Sequence, residues 1–184
     1  MIQLGIVSLE STHVDAFCRI FNSDSSEPTH LEGAVVVALC DQGNDPDRVA
    51  QLQHEWEIEI VVSTPRDLLP MVDAALVCSR DGALHYQQAA PFLEEAMPVF
   101  IDKPLAVHID DADDIIDLAL EGGAPLMSAS GLRYAEELAA ALDEVGDDEI
   151  VHADLIGPGE LFFYGIHLAD MLNAIMGPGV QAVA

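Results

Sequence analysis

A doubly wound α/β fold on a parallel sheet is the architecture this sequence predicts, and three observations predict it. Apolar runs of strand length alternate with amphipathic segments of helix length through residue 130. Those runs are apolar on both faces, as strands covered by helices on each side must be. The segments between them are long enough for the right-handed crossovers that join parallel strands.

Ile2–Val7 is a short β-rich run, and Thr12–Phe21 follows with apolar residues at helical spacing. A polar loop at 22–29 leads to Ala34–Cys40, the strongest strand in the sequence. Pro46–Glu55 reads as a helix with proline in its first turn, where a missing N–H costs nothing. Ile58–Val62 is the next strand, and Thr64-Pro65 starts a short helix. Ala74–Cys78 is a strand, Leu84–Ala96 a helix and Val99–Ile101 a strand. Asp110–Glu121 is a helix stopped by Gly122-Gly123, and Pro125–Met127 opens a last short strand.

The character changes after about residue 145. Gly146-Asp147-Asp148 separates a helix from Glu149–Ile156, whose alternation predicts a strand, and Gly157-Pro158-Gly159 turns the chain. Leu161–Met176 is a hydrophobic helix closed by Gly177-Pro178-Gly179, and Val180–Val183 reads as the opening of another strand. Residues 1–130 are thus expected to form one doubly wound, Rossmann-type domain. Residues 131–184 form a linker helix and the beginning of a C-terminal α+β domain, which starts near residue 147 and is expected to be incomplete here.

Charge narrows the functional classes. Six Lys and Arg stand against 33 Asp and Glu in 184 residues, a formal net charge of −27. Such a chain repels nucleic acid and anionic membranes, so neither is a partner. It also repels itself in dilute buffer, while molar salt shortens the Debye length to roughly 3 Å. The composition therefore points to a halophilic protein. Cys18, Cys40 and Cys78 lack metal-ligand spacing; Cys40 and Cys78 lie in apolar runs that read as neighbouring strands, so they are expected to be buried thiols. Ile2–Val7 is too short for a signal segment and no apolar run spans a bilayer, so the protein is expected in the cytoplasm.

Ligands of open α/β sheets bind at the carboxyl ends of strands. Lys103, the only lysine, stands there in Val99-Phe-Ile-Asp-Lys-Pro-Leu-Ala106, with Pro104 fixing the turn that aims it. Asp41 closes the second strand, where a carboxylate accepts both ribose hydroxyls of NAD and repels the 2′-phosphate of NADP. The first turn, Gly5-Ile-Val-Ser8-Leu-Glu10-Ser-Thr-His13, replaces two loop glycines of a dinucleotide fingerprint by Ser8 and Glu10. Ser8, Ser11 and Thr12 can donate hydrogen bonds to phosphate at a helix N-terminus, whereas the Glu10 carboxylate opposes an anion there. On the late hydrophobic helix, Tyr164, His167 and Asp170 repeat at three-residue spacing on one face. His167 is the candidate proton carrier, with Asp170 one turn away to orient its ring.

Taken together these stretches resemble the Gfo/Idh/MocA family of oxidoreductases. Asp102-Lys103-Pro104 is similar to the family's Glu-Lys-Pro motif, and Asp41 stands where the family has an acidic residue. Ser79-Arg-Asp-Gly-Ala-Leu-His85 resembles its strand, turn and helix-opening histidine, Arg133-Tyr134 its Arg-aromatic pair, and Gly165-Ile-His167-Leu-Ala-Asp170 its Gly-x-His-x-x-Asp. The resemblance implies a cofactor site that includes Ser79, His85 and Asp102, and hydride transfer between nicotinamide and a hydroxyl-bearing carbon of a sugar or polyol. Lys103 would hydrogen-bond the reacting hydroxyl and the nicotinamide ribose, and His167 would act as acid/base. The downstream β-sheet domain would support the substrate and mediate a homo-oligomer. This sequence carries Phe163 where the family often has Asp, and Tyr164 beside it is the candidate substitute. Two other readings stay open: a binding or scaffold protein that keeps the fold without the cofactor, and a non-redox lyase or hydrolase.

The charge carries its own test. Diluting the protein from molar KCl should lower its melting temperature steeply, and a melting temperature indifferent to salt would refute the halophilic reading.

Overall fold

The computed structural model describes residues 1–43, 45–159 and 161–179, apart from the side chains of 161–163. The chain divides into two compact units, Met1–Ser128 and Ala129–Ala184.

The first unit carries six parallel strands: β1 (Ile2–Val7), β2 (Ala34–Cys40), β3 (Ile60–Val62), β4 (Ala74–Val77), β5 (Val99–Ile101) and β6 (Leu126–Met127). Their order is β3-β2-β1-β4-β5-β6, the doubly wound arrangement in which the winding reverses between β1 and β4. Helices α1 (Thr12–Asn22), α2 (Pro46–Trp56), α3 (Pro65–Leu68), α4 (His85–Glu94) and α5 (Ile109–Gly122) join them. The apolar character of both strand faces is accounted for by two cores. Val14 and Cys18 of α1 and Leu52 of α2 pack with Leu4, Ile6 and Leu76 on one face. Phe92 and Leu93 of α4 and Ile115 of α5 pack with Val7, Val77 and Ile101 on the other.

Element ends follow local chemistry. Asp45 caps α2 through its carboxylate and Pro46 fills the first turn, as the sequence suggests. A 3-10 turn at Gly82–Leu84, capped by Asp81, delays α4 to His85. Gly123, at φ 68°, gives α5 its left-handed stop. Gly5 allows close approach: a Cβ there would lie 3.1 Å from side-chain atoms of both Leu68 and Val72.

β2 pairs with β3 only from Ala38 onward, which leaves the outward peptide groups of Val36 without a strand. Asn22 takes that place. Its Nδ2 donates to the Val36 and Trp56 carbonyls (2.9 and 3.3 Å), and its Oδ1 accepts from Val36 N (2.9 Å). The polar loop expected at 22–29 thus begins with a residue that completes the sheet edge.

In the second unit, a 3-10 turn at Gly131–Tyr134 precedes α6 (Glu136–Val145) and α7 (Leu161–Met176). The strand expected at Glu149–Ile156 does not form: the segment is irregular, and Val151 and Ile156 are 82% and 97% exposed. Alternation marks a face to be buried, but a strand exists only by pairing, and among the described residues none pairs with it. The strand expected at Val180–Val183 lies outside the described residues. Among those residues no helix is long and apolar enough to cross a membrane.

The cysteines are buried and unpaired, but Cys40 and Cys78 do not lie on neighbouring strands, because β1 runs between β2 and β4. They also face opposite cores. Burial pushes the Cys18 and Cys40 thiols up to about 12, and raises Cys78 well above its ordinary value. Since the thiolate is the reactive form, the folded protein should leave all three unmodified by a disulfide reagent at pH 8. Three equivalents should react on unfolding, and rapid labelling of the native state would contradict the packing.

Candidate functional site

All six strands run the same way, so the residues that follow them gather at one edge of the sheet. Ser8 follows β1, Asp41 follows β2, Ser79 lies two residues past β4 and Asp102 follows β5.

Ser8 holds the left-handed backbone (φ 65°) that favours glycine, so the chain keeps the tight exit from β1 without one. Its amide donates to the Cys40 carbonyl at 3.1 Å, and its side chain is buried. Ser11 caps α1 by accepting from His13 N at 3.1 Å, and Thr12 opens the helix, exposed. Arg48, from α2, fixes this loop. Its Nε donates to the Leu9 carbonyl (3.0 Å), and its two terminal nitrogens donate to the Asp15 carboxylate (3.0 and 2.6 Å). Hydrogen bonding to Asp15 holds the guanidinium above its ordinary pKa. Glu10 is exposed, and its Oε1 accepts from Arg80 N at 3.0 Å, so a carboxylate of the β1–α1 loop bonds to the loop after β4.

Gln88, in the first turn of α4, joins three loops. Its Nε2 donates to Ser8 Oγ (2.9 Å) and to Gln42 Oε1 (2.8 Å), and its Oε1 accepts from Ser79 Oγ. His85 is fully buried and structural in its contacts. Nε2 faces the Ser79 carbonyl at 3.0 Å, and Nδ1 faces the carbonyls of Pro104 and Leu105 at 2.9 and 3.2 Å. It thereby ties the loop after β4 to the turn that carries Lys103. A cavity of about 310 Å³ opens among Ser8, Glu10, Gln42, Gly43, Gln87 and Gln88. Asp41 precedes the lining residues Gln42 and Gly43, and its Oδ1 accepts from Gly43 N at 3.1 Å.

Asp102 is 4% exposed and doubly engaged: Oδ1 accepts from the Lys103 amide (2.9 Å), and Oδ2 bonds to His13 Nδ1 (2.7 Å). The Lys103–Pro104 peptide is cis. Lys103 is partly exposed, and among the described residues its ammonium forms no ion pair. Its backbone is therefore anchored while its charge remains available to a ligand. Among the described residues no cluster of His, Cys, Asp and Glu is arranged to hold a metal.

In the second unit, Ser130 and His167 share a hydrogen bond of 2.6 Å between Oγ and Nδ1, and the Tyr164 ring stands 5.8 Å from the His167 ring. Asp170, one turn from His167 on α7, has both carboxylate oxygens hydrogen-bonded. Oδ1 accepts from Arg133 Nη1 and Oδ2 from Ser130 N, both at 2.7 Å. The Arg133 bond is charge-assisted, and Ser130 Oγ bonds the His167 ring at Nδ1. The Phe163 side chain lies outside the described residues.

Six contributors escape sequence reasoning: His13, Gln42, Arg48, Gln88, Ser130 and the Arg80 amide. His13 and Gln88 act across 89 and 80 residues of chain, which spacing does not disclose. Gln88 does stand three residues after His85, on the same helix face, and that was the available signal.

Comparison with known proteins identifies the family of this fold. The profile of the Gfo/Idh/MocA oxidoreductase family, NAD-binding Rossmann fold, matches residues 19–130. Inositol 2-dehydrogenase of Klebsiella pneumoniae (strain 342) is 32% identical over 128 residues, covering 68% of this chain and 37% of that protein. Inositol 2-dehydrogenase of Burkholderia multivorans is 28% identical over 156 residues, covering 84% and 44%. The chain thus spans less than half the length of these curated relatives. In fold it is similar to scyllo-inositol dehydrogenase from Lactobacillus casei, solved with NAD(H) and scyllo-inositol: TM-score 0.76, 18% identity, 96% of this chain and 56% of that one. A probable dehydrogenase from Thermotoga maritima gives a TM-score of 0.72 at 22% identity, over 97% and 56%. On the family profile, which covers most of the sheet and its helices, this chain belongs to the Gfo/Idh/MocA oxidoreductase family.

Proposed function

We propose that this chain is the nucleotide-binding half of an NAD-dependent oxidoreductase acting on a hydroxyl-bearing carbon of a polyol or sugar-like substrate. The observation that carries the reading is Lys103, anchored through Asp102 at the edge where Ser8 and Asp41 also end their strands. The backbone fits the cofactor: the left-handed exit at Ser8, the capped start of α1 and the carboxylate after β2 are the parts a dinucleotide needs. Glu10 is the exception, and as an exposed side chain it can turn aside.

Asp41 would accept from the adenosine ribose, which favours NAD over NADP. Bound nicotinamide would supply the hydride acceptor. Lys103 would hydrogen-bond the substrate oxygen and stabilise negative charge as it develops there. His167, its Nδ1 engaged by Ser130, would take the hydroxyl proton. The inositol dehydrogenases among its relatives support a polyol as the substrate class.

A second reading is favoured by one observation, the bond of Glu10 to Arg80 N across the cofactor edge. On it, the chain keeps the fold as a binding module without the cofactor.

Titration with NADH and NADPH in molar KCl separates the two. The dehydrogenase reading expects saturable binding that prefers NADH and weakens about tenfold in Asp41→Ala, with little change for NADPH. An equal effect on both cofactors would remove the ribose role, and no binding at millimolar NADH would favour the binding module. Lys103→Ala should abolish turnover of a polyol while moving the melting temperature by no more than about 2 °C. A larger loss of stability would make the lysine structural.

A further inference from the structure

We infer that Glu10 is a carboxylate latch, which ties the β1–α1 loop to the loop after β4 and competes with the phosphates of a nucleotide for the mouth of the cofactor site. The inference rests on the cofactor reading above and concerns how that site opens.

Glu10 stands one residue before the cap of α1, where the helix dipole and unpaired amides favour an anion. Its Oε1 accepts from Arg80 N at 3.0 Å, so the chain supplies an anion of its own at this edge. Among the described residues lining the adjoining cavity, none has a Lys or Arg side chain. An incoming phosphate would therefore meet the Glu10 charge with no Lys or Arg in the described cavity lining to offset it.

The surroundings of Glu10 are fixed and its side chain is not. Ser8 is held by Gln88, the Leu9 carbonyl by Arg48 Nε, and Ser11 by its role as the α1 cap. Glu10 is exposed and held by one described hydrogen bond. A side-chain rotation, with no change in the backbone, breaks that bond and frees the Arg80 amide. Opening forfeits a charge-assisted hydrogen bond in a solvated setting, which corresponds to about a tenfold loss of apparent affinity for a phosphate-bearing ligand. The same group makes the closed state specific, because it joins the two loops between which a dinucleotide would lie.

The test is NADH binding by calorimetry in molar KCl to the wild-type chain, Glu10→Gln and Glu10→Gly, together with the Arg80 amide resonance. Glu10→Gly should bind NADH about tenfold more tightly than wild type, with Glu10→Gln between them, since the amide keeps the shape but loses the charge. The Arg80 amide should shift upfield in Glu10→Gly without ligand, and shift likewise in the wild type at saturating NADH. Equal NADH affinity in all three proteins would overturn the latch and leave the cofactor reading standing. An Arg80 amide that NADH leaves unmoved would overturn it as well. Absence of binding in all three, with the folded spectrum retained, would overturn the cofactor reading and the latch with it.

Discussion

The arrangement depends on β1 lying between β2 and β4 with all six strands parallel. Ile6 and Val7, both fully buried, point to opposite cores, so the one strand anchors both helical layers. The crossover from β1 to β2 uses the α1 face, and the later crossovers through α4 and α5 use the other. Because the winding reverses there, the loops after β1 and β4 diverge and leave a cleft at the carboxyl edge. The candidate cofactor residues of the first unit stand at strand ends or in the loops and first helix turns that follow them, so sheet register sets site geometry.

Side chains then close what the backbone leaves open. Buried polar groups at this edge satisfy one another: Gln88 serves Ser8, Gln42 and Ser79, while His85 serves carbonyls from two loops. In a low-dielectric setting such a network rigidifies the loops it joins, since each broken contact would strand a buried group. Lys103 gains a fixed origin in this way, through Asp102 and through His85 on the turn behind it. With six cations in the whole chain, the use of Arg48 to clamp the β1–α1 loop shows where rigidity matters.

The legibility of the sequence followed the range of the forces involved. The strands of the first unit could be read because burial on both faces is written into consecutive residues, as in Ala34–Cys40. Helix ends could be read at Pro46 and Gly123, where backbone chemistry is local. Glu149–Ile156 misled because alternation states a need for burial and not the presence of a partner. In the site, the placement of Ser8, Asp41 and Lys103 at strand ends was visible from pattern alone. The left-handed turn at Ser8, the His13–Asp102 bond and the Arg133–Asp170 bond were not, because each depends on groups brought together only by folding.

Acidity and anion binding, which oppose each other in dilute buffer, become compatible once range is considered. A net charge of −27 repels a dinucleotide at a distance, and that repulsion is what salt removes as the Debye length falls to about 3 Å. Contacts at hydrogen-bond distance survive, because no counterion fits between the partners. In molar salt the many exposed carboxylates, such as Asp113, Asp114 and Asp117 on α5, therefore have little say in whether a nucleotide approaches. On the proposed reading, what remains decisive in molar salt is the set of short contacts at the carboxyl edge, where the Glu10 carboxylate accepts from Arg80 N, rather than the protein's overall field.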